Sequence, residues 1–386
     1  MRVLMKAVAV AVAAATLAAC GSGAKSGESG TITIGTLQPL SGAAASYGPT
    51  FRDSIQAYFD DVNARGGVNG KKLKLKVYDS GYDPAKSLAA ARKAVTQDDV
   101  FAFVGVAGTS VVQAVNRYLN DEGVPNMWVL SGAPGFNSPE SPLVFPFLLS
   151  YSAEPKMINE YLSTAYPEAK VGVLYQNDDF GKSFLTVFEK EARDKIVSIK
   201  GYDSADTDVS SQIASLKSSG ADIVVSFVLG KFAILAGQAM GDLGWDAPLV
   251  VSSNSNDPAV LGAAGPTVWK RVIAGTSYPS LDADDPAIVM YRETMKKYSP
   301  KIEYGKSSLE AFTAARLFVK TLEKAGDNPS RKDLVAAAES LNGIDDLGIF
   351  GGVTVTKDDH SAVKCTRFTK YTDDATLTYL TEPICE

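Results

Sequence analysis

From Thr31 onward the chain alternates short strand-like runs with longer helical ones, and this alternation constrains the fold more than any other feature of the sequence. Residues 31–37 read as a strand. Over 50–65, Phe51, Ile55, Tyr58, Phe59 and Val62 recur at helical spacing on one face, and Gly66-Gly67 ends the helix. Residues 72–79 set Leu73, Leu75 and Val77 between lysines, the pattern of a half-exposed strand. A helix over 84–97, a strand over 100–105, a helix over 110–121 and a strand over 125–130 follow. Such a β-α repeat predicts a parallel sheet with helices on both faces.

A proline-spaced segment over 134–146 separates this unit from a second one. There, helices over 154–165, 181–193, 209–219 and 231–243 alternate with strands over 170–176, 195–202, 221–229 and 248–252. A strand over 271–275, helices over 286–298, 306–325 and 331–341, and a β-rich tail (352–356, 364–371 and 376–381) complete the chain. The expected class is α/β, with two doubly wound, Rossmann-like parallel sheets. No sequence repeat relates the two units.

Composition narrows the function. The chain has 386 residues, 45% hydrophobic and 21% charged, enough for two folded units and too apolar for disorder. Its formal charge of −6 supplies no basic excess to displace counterions from phosphates, so no nucleic-acid partner is expected. The single histidine, His360, reads as part of a polar turn and leaves no His-rich metal site. Enzyme motifs fail: Gly181-Lys182-Ser183 and Gly305-Lys306-Ser307 end like phosphate-binding loops but lack the preceding glycine, where Gln176 and Pro300 stand. There is no G-x-S-x-G elbow and no G-x-G-x-x-G fingerprint. No cofactor and no metal are expected.

The N-terminus reads as an export signal: Arg2 and Lys6, then a short apolar run over 7–19, too short to span a bilayer. Leu17-Ala18-Ala19-Cys20 resembles the lipobox of bacterial lipoproteins, in which the cysteine is lipidated and becomes the mature N-terminus. Residues 1–19 are then the signal, and the Gly/Ser-rich stretch 20–30 is a flexible tether to the outer face of the membrane. Export implies an oxidising compartment. Cys365 and Cys385 become disulfide partners there, closing a loop that gains roughly 3 kcal/mol in a chain-entropy model. Zinc is the alternative, but two cysteines and one distant histidine are a poor ligand set.

In open α/β sheets, ligands bind beyond the carboxyl ends of the strands. Those ends hold 38–42, 79–82, 105–110, 131–133, 176–179, 229–230 and 252–256, which are rich in Gly, Ser, Thr and Asn. Gly108-Thr109-Ser110 at a helix start suits a carboxylate, and equally suits plain capping.

Several of these stretches resemble type I periplasmic binding proteins of the branched-chain amino acid class. The matching residues are Ile34 to Gly42 with Tyr47-Gly48, Asn63 to Gly70, Tyr78 to Pro84, Val104-Gly105 with Thr109-Ser110, and Gln176 to Gly181. The resemblance implies two lobes joined by three crossovers, closing on a ligand that is then delivered to an ABC permease by a monomeric receptor. The lobes would comprise 31–149 plus 276–345 and 150–275 plus 346–386. It implies that Gly108, Thr109, Ser110 and the loop Ser131-Gly132-Ala133 hold the ligand carboxylate, with Tyr47 a cleft aromatic. Tyr151, Asp179, Phe180, Leu229 and Asn254 complete the expected site. In the family an acid and a tyrosine hold the ligand ammonium. Those positions fall near Asn254 and Leu229-Gly230 here, so Asp179 or another acid substitutes, or the ligand is not a simple α-amino acid. A sensor of the same fold, signalling to a membrane regulator, and an exported α/β enzyme are the other readings.

Overall fold

A computed structural model describes residues 30–386 apart from 43, 138–140, 258–260, 262–263 and 373–376. The expected signal, Cys20 and most of the tether lie outside the described residues.

The first sheet is built from β1 (Thr31–Gln38), β2 (Lys72–Asp79), β3 (Ala102–Val104), β4 (Asn126–Val129) and β5 (Val144–Pro146), ordered β2-β1-β3-β4-β5. All its pairings are parallel. Its crossovers carry α1 (Gly48–Ala64), α2 (Pro84–Thr96) and α3 (Thr109–Asp121). Strand β5 falls inside the proline-spaced segment that the sequence reading treats as a connection. Three consecutive buried residues, the last of them Pro146, carry no period-two signal, so only pairing with β4 defines the strand.

The second sheet comprises β6 (Val171–Gln176), β7 (Ile196–Tyr202), β8 (Ile223–Phe227), β9 (Leu249–Val251), β10 (Val272–Thr276), β11 (Cys365–Tyr371), β12 (Leu377–Tyr379) and β13 (Ile384–Cys385). Its order is β12-β11-β10-β9-β8-β6-β7, with β13 on β11. From β10 to β7 the sheet is parallel, and the tail strands are antiparallel. Helices α4 (Glu154–Ala165), α5 (Asp179–Glu191), α6 (Ser210–Ser218), α7 (Gly230–Asp242) and the short α8 (Pro266–Trp269) belong to this half.

Between β10 and β11 the chain returns to the first half through α9 (Pro286–Tyr298), α10 (Lys306–Lys324) and α11 (Arg331–Ala338). Aromatic contacts lock α10 onto α1: Phe312 meets Tyr58 edge-on with ring centroids 5.1 Å apart, and Phe318 lies 6.1 Å from Phe59. Helix α10 is buried over most of its circumference because it packs against α1, α11 and the strands β3 and β4. The chain therefore passes between the two halves three times, after Pro146, after Thr276 and before Cys365.

Two features of the tail differ from the sequence reading. Residues 352–356 form no strand: Val353 makes a single bridge to Ile344, and Thr356 pairs with Asp359 in a turn. Their hydrogen bonds are spent locally, which leaves no ladder to extend. His360 follows the polar turn at 356–359 but is itself buried, its ring stacked on Phe145 at 4.1 Å and its Nδ1 donating to the Val144 carbonyl at 3.0 Å. Cys365 and Cys385 face one another as register partners on β11 and β13 and form the expected disulfide.

Candidate functional site

Strand ends from both sheets converge on a cavity of about 60 Å³. Tyr82 follows β2, Thr109 follows β3 and Leu148 follows β5; Phe180, Leu229 and Asn254 follow β6, β8 and β9. This is where an open parallel sheet presents a ligand to its loops. The walls are mostly apolar and aromatic, with a few polar groups at set places, the usual build of a small-molecule site.

One polar wall is the start of α3. Its N-cap, Gly108, has no side chain to cap the first N–H groups, so donors and the positive end of the helix dipole are available to an anion. Gly108 sits at φ 104°, and a Cβ there would lie 2.7 Å from the Tyr82 ring, so both backbone and packing exclude larger residues. Thr109, the first helical residue, shares a buried hydrogen bond with Ser131, Oγ1 to Oγ 2.9 Å. Ser131 in turn accepts from the Ala133 N–H at 3.4 Å. Thr109 lines the cavity, whereas Ser131, Gly132 and Ala133 stand behind it and hold it in place.

Neighbouring helix starts are already occupied. Asp178 caps α5 by accepting from Gly181 N at 3.1 Å. The phenol of Tyr47, from the first half, accepts from Gly230 N at the start of α7, 2.7 Å away. Asp257 accepts from Ser307 N in the first turn of α10 at 3.0 Å. The start of α3 thus offers a ligand donors that those three helices have already committed.

A second wall is aromatic. Tyr151 and Phe180 line the cavity, and both rest on Phe184, whose ring stacks on Tyr151 at 4.1 Å and meets Phe180 edge-on at 5.4 Å. Asn254 donates to the Tyr151 hydroxyl at 2.8 Å, and burial raises that phenol's pKa well above its ordinary value. Asn254 is itself held by its neighbour: Ser253 donates through N and Oγ to the buried carboxylate of Glu154. Burial pushes the Glu154 carboxyl up from 4.5 to about 7, against the Ser253 hydrogen bonds that favour its charged form.

The expected residues divide accordingly. Tyr47, Gly108, Thr109, Tyr151, Phe180, Leu229 and Asn254 line the cavity. Ser110 and Asp179 meet at its rim instead, where Ser110 Oγ donates to Asp179 Oδ2 at 3.0 Å across the two halves. With Tyr47–Gly230 and a 3.3 Å bond from the Tyr82 hydroxyl to Asp178, this joins the halves around the cavity. Phe51, Ser307 and Glu310 line the cavity without being among the expected residues, and so does Tyr82, which falls in the strand end 79–82 but not in the expected set. Among the described residues, no group of three or more His, Cys, Asp or Glu side chains is placed to hold a metal. No described helix is long and apolar enough to cross a membrane.

Comparison with known proteins agrees with this architecture. The family described as Periplasmic binding protein matches residues 31–376. A leucine-, isoleucine-, valine-, threonine- and alanine-binding protein of Pseudomonas aeruginosa is 26% identical over 329 residues, 82% of this chain and 85% of that protein. A Leu/Ile/Val-binding protein of Rhizobium johnstonii is 24% identical over 80% of this chain and 83% of its own length. In fold, a branched-chain amino acid ABC transporter structure from Thermus thermophilus with bound valine is similar at TM-score 0.84, with 19% identity, covering 92% of this chain and 97% of that one. A fatty acid ABC transporter substrate-binding protein from Thermomonospora curvata reaches TM-score 0.83 at 23% identity, covering 92% and 93%. These last two likenesses are of fold alone. The match over residues 31–376, with two parallel sheets and a cavity between their strand ends, places the chain in the periplasmic binding protein family, whose members bind solutes and are not enzymes.

Proposed function

We propose that this chain captures a small, mainly apolar α-amino acid between two lobes and delivers it to an ABC importer. The lobes are residues 31–149 plus 276–345 and 150–275 plus 346–386. The observation that carries this reading is the start of α3 at the cavity, where Gly108 leaves helix N–H groups uncapped beside the buried Thr109–Ser131 hydroxyl pair. A carboxylate there would gain several charge-assisted hydrogen bonds and the helix dipole. The aromatic and aliphatic walls suit a side chain without charge. Amino-acid-binding relatives over most of the chain point the same way.

The test is a thermal-shift screen of purified protein against amino acids, amides, urea-like compounds and aromatic acids, in which bound ligands raise the melting temperature by mass action. An aliphatic amino acid is expected among the strongest hits. Thr109→Ala is expected to weaken that ligand by about 1–3 kcal/mol, the cost of deleting a hydrogen-bond partner of a buried charged group. Unchanged affinity by calorimetry would remove Thr109 from the carboxylate site.

The receptor is a monomer held at the outer face of the membrane by lipid on Cys20, tethered through residues 21–30. The basis is the sequence before Thr31, with its short apolar run and lipobox-like end. Cys20→Ser is expected to move the protein from the membrane fraction to the soluble one; retention on the membrane would count against the anchor.

A further inference from the structure

Glu310 is the one charged side chain among the described residues that line the cavity. It lies one turn into α10, where the Lys306 ammonium approaches its Oε1 at 2.5 Å, and the two side chains are only 8% and 12% exposed. Two more carboxylates face this pair. Asp257, which accepts from Ser307 N, and Glu154, which holds Ser253, both act electrostatically on it. The Lys306 ammonium thus acts on both Glu310 and Glu154, in a place largely closed to water. A buried carboxylate is costly unless compensated, and burial raises both Glu154 and Glu310.

A cation from the ligand supplies that compensation. Lys306 takes one oxygen of Glu310, so the other can receive a donor from within the cavity. Tyr47 stands close enough for its phenol to feel both Asp257 and Glu310, and its ring lines the same cavity, stacked on Phe51 with centroids 5.8 Å apart. An aromatic face beside a carboxylate is ammonium-binding chemistry. Asn254, by contrast, has no acid to offer, and its amide is spent on Tyr151. Asp179 is spent on Ser110 at the rim.

We infer that Glu310, backed by Lys306, receives the ammonium of the ligand, so that the amine half of the site is built on α10 rather than around Asn254 or Asp179. This rests on the amino-acid reading above, which places the carboxylate at α3. A zwitterion then meets an acceptor and a donor wall within one cavity, and a neutral or purely anionic analogue leaves Glu310 unmatched.

The test uses three related probes with purified wild-type protein and Glu310→Gln, by calorimetry: L-leucine, 4-methylpentanoate, which lacks the amine, and 3-methylbutylamine, which lacks the carboxylate. Wild type is expected to prefer L-leucine to 4-methylpentanoate. Glu310→Gln should lose about 10- to 100-fold for L-leucine, the range for a hydrogen bond to a charged group, and hold 4-methylpentanoate within about 3-fold. That unchanged affinity also certifies the fold of the variant. Glu310→Asp, which keeps the charge, should recover part of the loss. If Glu310→Gln keeps the wild-type preference for L-leucine, the inference is overturned and the amino-acid reading survives. If wild type binds the amine, Glu310→Gln loses it and neither carboxylate-bearing probe binds, Glu310 stands and the carboxylate at α3 falls. Binding of none of the three overturns both.

Discussion

Replacing Phe184 with alanine is expected to lower the stability of the protein by about 3–5 kcal/mol, the usual cost of emptying a buried phenylalanine site. Phe184 is fully buried, and its ring meets Tyr151, Phe180 and Phe227 at centroid distances of 4.1, 5.4 and 5.1 Å. Few positions combine so complete a loss of packing with so direct a route to the site. Tyr151 and Phe180 are walls of the cavity, and both rest on this one ring. The space it vacates would let them fall away from the ligand. Ligand affinity should therefore drop together with stability, by about 10-fold for each 1.4 kcal/mol by which the slackened wall weakens its hold on the ligand. Urea unfolding would show a lower midpoint with an unchanged slope, since the surface exposed on unfolding stays the same. Phe184→Leu, which conserves most of the volume, should cost less than about 1.5 kcal/mol. A loss below about 1 kcal/mol for the alanine variant would show that the aromatic cluster is not what holds this wall.

The relation between that wall and the rest of the site explains how far the sequence can be read. Long helices with a regular apolar face, such as α1 and α9, are visible from spacing alone because their period is set by the face they bury. Strands β1 and β2 are visible for the same reason. Strand β5 is hidden because three buried residues have no period, and β13 because two residues stand out only through their register with β11. The glycines and hydroxyls of the site are legible because strand-to-helix turns need them: Gly108 and Thr109 stand where the topology places a ligand. Glu310 is hidden for the opposite reason. It comes from a helix far later in the chain, which reaches the cavity only because the chain returns to the first half after β10. Local pattern cannot show a juxtaposition made by a crossover.

Closure follows from the same geometry. Tyr47 to Gly230, Ser110 to Asp179 and Tyr82 to Asp178 all join one half to the other, and each exists only when the halves are together. They lower the free energy of the closed form for any ligand or none. Specific closure has to come from a ligand that touches both halves, because only a difference in affinity between open and closed forms shifts their balance. In the proposed site, Thr109 and Glu310 on one side, with Tyr151, Phe180 and Asn254 toward the other, would provide that difference.

Glu154→Gln is expected to remove a pH dependence of stability amounting to about 3 kcal/mol. Glu154 is 1% exposed, and burial raises its carboxyl from 4.5 to about 7 in the folded chain. Lys306 and Glu310 face it and act with opposite sign, while Ser253 donates to both of its oxygens. A carboxyl whose pKa is higher folded than unfolded holds its proton more tightly in the native state. Its contribution to stability is complete below about pH 4.5 and is lost as the pH rises through about 7. Glutamine keeps one carbonyl oxygen for the Ser253 N–H and turns an N–H toward Ser253 Oγ, so both bonds survive without a charge to bury. The two proteins should be equally stable near pH 4, and the variant should be the more stable by about 3 kcal/mol near pH 8. Glu310 is also raised by burial but is common to both proteins, so the difference between their stability curves isolates Glu154. Urea unfolding across that range reads it directly. Parallel curves would mean that Glu154 stays protonated, or is ionised at little cost, throughout. The Ser253 loop that carries Asn254 would then be fastened without the buried charge assigned to it.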